Sequence, residues 1–148
     1  MIQLHYNIAI AKPKEYVWNT MLQRETYEQW VGKSWPNSTY EGEWKQGSEI
    51  RFVAKDGSGG TLAVIKELRP YEYVLAEHIA ALQKGGIIDK DSEMAKGWIG
   101  SLEAYTFIQT GNDTLVEVLI ETNPAWRNEF DRGWNIALPE LKRICEES

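Results

Sequence analysis

Residues 123–147 read NPAWRNEFDRGWNIALPELKRICEE, and they carry one continuous apolar stripe. Trp126, Phe130, Trp134, Ala137, Leu138, Leu141, Ile144 and Cys145 recur at spacings of three and four, which puts them on one face of an α-helix. Asn123 followed by Pro124 is a start signal, because an Asn side chain caps open N–H groups and proline is tolerated in the first turn. The helix is therefore expected to run to about residue 146. Pro139 offers no N–H to the carbonyl of Asn135 and biases Leu138 away from helix, so an interruption with a kink is expected at 135–139. A stripe that long needs a broad apolar surface opposite it.

That surface is legible upstream. From about residue 38 to 122 the chain reads as strand in six runs: STYEGEW, SEIRFVAK, GTLAVIKEL, YEYVLAEHIAAL, WIGSLEAYTFIQ and TLVEVLIE. The joints Gln46-Gly47, Asp56-Gly57-Ser58-Gly59-Gly60, Arg69-Pro70 and Gly111-Asn112-Asp113 have turn chemistry, which makes an antiparallel meander the simplest arrangement. One joint differs. QKGGIIDKDSEMAKG, residues 83–97, is long and polar, and is expected to be a loop that serves as a lid or is disordered. Before the meander, residues 2–10 alternate strictly, with Ile2, Leu4, Tyr6, Ile8 and Ile10 on one side, and predict a half-buried strand. Pro13 then suits the first turn of a helix bearing Val17, Trp18, Met21 and Leu22, and a short second helix over ETYEQW ends at Gly32. The order is strand, two helices, six strands, long helix, read as one domain over 1–148.

Composition excludes several classes of function. The net charge of −6 opposes the phosphate electrostatics of nucleic-acid binding, and no apolar run approaches the roughly 20 residues that span a bilayer. The first residues lack the basic start and apolar core of a signal peptide, so the expected location is cytoplasmic. Asn37-Ser38-Thr39 and Asn112-Asp113-Thr114 match the glycosylation pattern but read as turns. Cys145 is the only cysteine, which rules out an internal disulfide. Two histidines and an Asp89/Asp91 pair without the calcium-loop glycine predict no metal, and no nucleotide-binding glycine motif predicts a cofactor.

PKEYVWNTM, Trp30, YEGEWKQGSEIRF, VIKELRPYEYVLAEH, EAYTF, DTLVEV and WNIALPELKRICEE together resemble the START/polyketide-cyclase/Bet v (SRPBCC) superfamily. Within it the chain is similar to the C-terminal domain of the activator of heat shock protein 90 ATPase, over nearly its whole length. The resemblance implies an α+β helix-grip fold: a curved antiparallel sheet of about seven strands wrapped around the long C-terminal helix, with an apolar cavity between them. It carries no fixed catalytic set.

In such a fold the tryptophan-rich stretch WVGKSWPNSTYEGEW, residues 30–44, closes one end, where each ring buries about 150–250 Å². Trp30, Trp35, Trp44 and Phe52, with Trp98, Trp126, Phe130 and Trp134, are candidates to line the cavity or simply to fill it. Polar candidates are His78, Glu103 and Tyr105, while His5, Asn7, Arg51 and Glu77 face either inward or solvent. If residue 82 lies opposite 99, then His78 faces Glu103, giving a dyad for acid–base chemistry, a ligand anchor or a plain cross-strand contact. Arg51 could hold a ligand carboxylate. The expected function is binding of a small hydrophobic molecule without a cofactor. Alternatives are a cyclase, hydratase or hydrolase using His78 and Glu103 and, ranked last, action on heat shock protein 90. Self-association as a homodimer stays open.

Overall fold

Alternation of apolar and polar residues lays down one antiparallel sheet, and the apolar face of that sheet wraps the C-terminal helix. The computed structural model describes residues 1–147. Strand β1 (Ile2–Ile10) leads into helices α1 (Lys14–Leu22) and α2 (Arg24–Gly32). Strands β2 (Ser38–Gly42), β3 (Glu49–Ala54), β4 (Gly60–Arg69) and β5 (Tyr73–Gln83) follow. Then come β6 (Ile87–Asp89), α3 (Glu93–Trp98), β7 (Leu102–Thr110), β8 (Asp113–Thr122), a 3-10 turn (Pro124–Trp126) and α4 (Arg127–Glu146). The strand order is β1-β8-β7-β5-β4-β3-β2, with β6 added to β5. This is the helix-grip arrangement, with eight strands where about seven were expected.

The two ends of the chain meet in it. Ile2 pairs with Thr122 and Ile10 with Thr114, so the first strand closes on the last. Helix α4 packs along β1, where Lys142 donates to the Ala9 carbonyl at 2.8 Å and Ala11 N–H donates to Glu146 at 2.8 Å. The core between sheet and helices is completed by Val17, Met21, Ile50, Ile65, Val116 and Leu141, each fully enclosed.

Three expectations need correction. Segment 83–97 is not an open loop. It turns at Gly85 and Gly86, adds β6 to β5, and forms the short helix α3. Asp89 organises it by accepting hydrogen bonds from Gln83 Nε2, Asp91 N, Ser92 N and the Ser92 hydroxyl. Those donors, the Ser92 hydroxyl foremost, hold the Asp89 carboxyl well below the usual carboxylate range. The run beginning at Trp98 accordingly becomes strand only at Leu102. Secondly, α4 continues without interruption through Pro139. One missing backbone bond is outweighed because Ala137, Leu138 and Leu141 around it are buried in the core. Thirdly, Pro13 caps α1 from outside instead of occupying its first turn, and Trp126 sits in the 3-10 turn ahead of α4.

Candidate functional site

A cavity of about 370 Å³ lies between the concave face of the sheet and the first half of α4. Tyr27, Trp30 and Val31 of α2 close one side, Trp35 and the start of β2 stand beside them, and Phe130 and Trp134 project from α4. Phe52 of β3, Trp98 at the end of α3 and Tyr105 of β7 supply further rings. They touch edge to face or tilted: Trp30 and Trp134 lie 5.7 Å apart, Trp35 and Trp134 6.0 Å, and Tyr105 and Trp134 5.8 Å. Trp98 stacks on Phe130 at 5.9 Å and meets the His78 ring at 4.7 Å.

Trp35 can lie against α4 because residue 133 has no side chain. A Cβ there would fall 2.0 Å from Trp35 Cζ2. The contact is fastened by Ser34, whose hydroxyl donates to the Gly133 carbonyl at 2.5 Å, and by Trp35 Nε1 donating to Glu129 at 3.0 Å. Gly133→Ala is expected to expel the ring and destabilise the protein by about 1–3 kcal/mol, although alanine is the better helix former. Chemical denaturation measures the loss. In a Trp35→Ala background the same change should be neutral or stabilising, and an equal loss in both backgrounds would contradict this packing.

One row of polar groups crosses the cavity wall from β4 to β7. The Thr61 hydroxyl and His78 Nδ1 are 3.1 Å apart, His78 Nε2 stands 3.5 Å from Glu103 Oε1, and the Tyr105 hydroxyl donates to Glu103 Oε2. His78 Nε2 is enclosed without a hydrogen bond among the described residues, as are the indole N–H groups of Trp98 and Trp134. The Thr61 hydroxyl donates to Nδ1 or accepts from it according to the tautomer of the ring; Nε2 is the nitrogen that looks toward the carboxylate. Burial pushes the Tyr105 and Tyr27 hydroxyls far above the ordinary phenol range, and the negative charge of Glu103 adds to both shifts.

The register behind this row differs from the expected one. Glu103 pairs with Ala76, not His78, and β5 leaves β7 after Glu77 to accept β6. His78 lies two residues further along the same face, so it reaches Glu103 diagonally, within the span long side chains bridge. Of the other candidates, Trp44 packs between Tyr40 and Phe52 at 5.7 Å from each, and Trp126 abuts Trp98 at 6.0 Å; neither lines the cavity. His5 and Asn7 are exposed, and Glu77 pairs with Lys66 at 3.4 Å on the outer face. Arg51 also points to the outer face and donates to the Gly86 carbonyl at 3.3 Å. Tyr27 and Thr61 are site residues that sequence reasoning did not single out. Tyr27 is three positions from Trp30 on one helical face, and Thr61 shares the inward alternation of Ala63 and Ile65; both signals were available.

Among the described residues no three His, Cys, Asp or Glu side chains assemble as a metal site, and no helix is long and apolar enough to cross a membrane. Solved structures share the architecture at low identity. The chain is similar to the Aha1 dimer of Colwellia psychrerythraea, solved in solution (TM-score 0.73, 19% identity, 99% of this chain and 97% of that one). It is similar also to CV1439 of Chromobacterium violaceum (0.72, 16%, 97% and 96%) and MLL2253 of Mesorhizobium loti (0.72, 14%, 99% and 98%). No curated protein sequence matches it. Residues 11–146 fit the family described as Activator of Hsp90 ATPase homolog 1-like protein, and with almost all of its length inside that match the chain belongs to this family.

Proposed function

We propose that the chain binds a small, mostly apolar molecule between the sheet and α4, with Thr61, His78, Glu103 and Tyr105 as its polar anchor. The observation that carries this is the aromatic-walled space of about 370 Å³. The space opens to solvent, so water or a ligand occupies it, and rings give water few partners. Native mass spectrometry of protein taken from cells, followed by ligand-detected NMR with an apolar fragment set, tests the idea. Ala54→Phe, at the cavity wall on β3, is expected to abolish retention while leaving the fold intact. Fragments that never bind, or that bind the variant equally well, would sink it.

A second reading is favoured by the 3.5 Å approach of His78 Nε2 to Glu103 Oε1: a cyclase-, hydratase- or hydrolase-type enzyme in which this pair carries protons. His78→Gln should then stop turnover of the bound molecule without releasing it. Action on heat shock protein 90 rests on the family description alone and ranks last; an ATPase-stimulation assay decides it. The Colwellia psychrerythraea relative is described as a dimer, and a homodimer of this chain is checked by light scattering.

A further inference from the structure

The cavity is unbalanced in charge. Eight Phe, Tyr and Trp side chains contribute to its wall, Glu103 is the only acidic residue there, and no lysine or arginine is present. Among the described residues the carboxylate receives its hydrogen bond from a neutral donor, the Tyr105 hydroxyl. His78 is the one neighbour that could carry a positive charge, and at 3.5 Å it makes no hydrogen bond with Glu103. Arg51 is committed to the outer face by its bond to the Gly86 carbonyl. A carboxylate with 18% of its side chain exposed, set among π-faces, attracts a cation twice over: by its own charge and by the ring quadrupoles.

We infer that the ligand is an organic cation, an amine or quaternary ammonium borne on an apolar body, with its charged end at Glu103 and its body against Trp98, Phe130 and Trp134. This deepens the binding reading above and depends on it.

Three probes of similar size separate the two: benzyltrimethylammonium, its uncharged carbon isostere neopentylbenzene, and 3-phenylpropanoate. Binding is followed through the indole N–H resonances at pH 8, above the ordinary range of imidazole, and in 0.5 M salt, which screens the general pull of an acidic surface. The cation is expected to bind at least about tenfold more tightly than the isostere, and the anion least. Glu103→Gln, which keeps an acceptor for Tyr105, should remove that preference and leave the isostere's affinity unchanged. If the isostere or the anion binds as well as the cation, the cationic assignment fails and cavity binding stands. If none of the three binds, cavity binding fails and the assignment with it. Should the variant not fold, the comparison of the three probes on the unmodified protein decides alone.

Discussion

Replacing Trp30 with alanine is expected to cost about 3–5 kcal/mol, the largest loss for any single truncation around the site. Its side chain is completely enclosed, and its Nε1 donates to the Met21 carbonyl at 3.0 Å. The ring meets Tyr27 edge-on at 5.5 Å and Trp134 at 5.7 Å, and so joins α2 to α4. Truncation removes the transfer energy of a large ring, opens a void and orphans a buried carbonyl. These penalties add because the surrounding rings cannot collapse into the space without breaking their own contacts. Urea or guanidinium unfolding gives the value. Trp126→Ala, on a half-buried ring in the 3-10 turn, is the control and should cost clearly less. A Trp30→Ala loss below about 1 kcal/mol would mean that the helices are not joined through this ring.

The second large effect is alkaline. Tyr27 and Tyr105 have phenol pKa values raised in the folded state, chiefly by desolvation and then by the charge of Glu103. Because the folded values lie above the unfolded one of about 10, their contribution is fully present below pH 10 and is lost as pH climbs past it. Each buried phenol then favours the unfolded chain by up to about 1.4 kcal/mol per pH unit, so the pair removes about 2 kcal/mol between pH 10 and 11 and close to 3 more between 11 and 12. Three further tyrosines add in the same direction, Tyr6 through burial and its bond to Asp131, and Tyr40 and Tyr73 chiefly through burial. Stability measured from pH 8 to 12 should fall steeply above 10. Absorbance at 295 nm should show part of the tyrosine titration arriving only with unfolding. Tyr27→Phe should flatten the curve, and a curve independent of pH up to 12 would refute the enclosure of these rings.

Much of the architecture was legible because it rests on strong periodicity. Strand β1 and the α4 stripe show one apolar face each, and the turn residues mark the strand ends. What escaped prediction has local causes. Asp89 converts a polar stretch into β6 and α3 by gathering four donors, an arrangement that composition alone does not reveal. In β5, Leu62 pairs with Ala80 but Ala63 with His78, so Ile79 is an extra residue. Past that bulge the apolar residues every second position change sides: Val74 and Ala76 join the main core, whereas Ala80 and Leu82 form a small cluster with Leu62 on the other face. Simple alternation cannot show such a switch. His78 and Glu103 were paired through a register with 82 opposite 99; the register differs, since Glu103 pairs with Ala76, and the two side chains still meet because they share a face. The dense rings between 30 and 44 pointed to the right end of the molecule, but Trp44 shows that an aromatic can serve the wall from behind without reaching the space.

The closure of β1 on β8 sets a schedule for synthesis. As the polypeptide leaves the ribosome, Ile2, Leu4 and Ile10 emerge well ahead of their partners Thr122, Ile120 and Thr114, which arrive more than a hundred residues later. Until then an apolar strand has nothing native to pair with, and α4, the helix that covers it, is made later still. The sheet therefore cannot close until β8 has emerged, and a nascent chain stalled before residue 113 would display a sticky segment of the kind that chaperones retain.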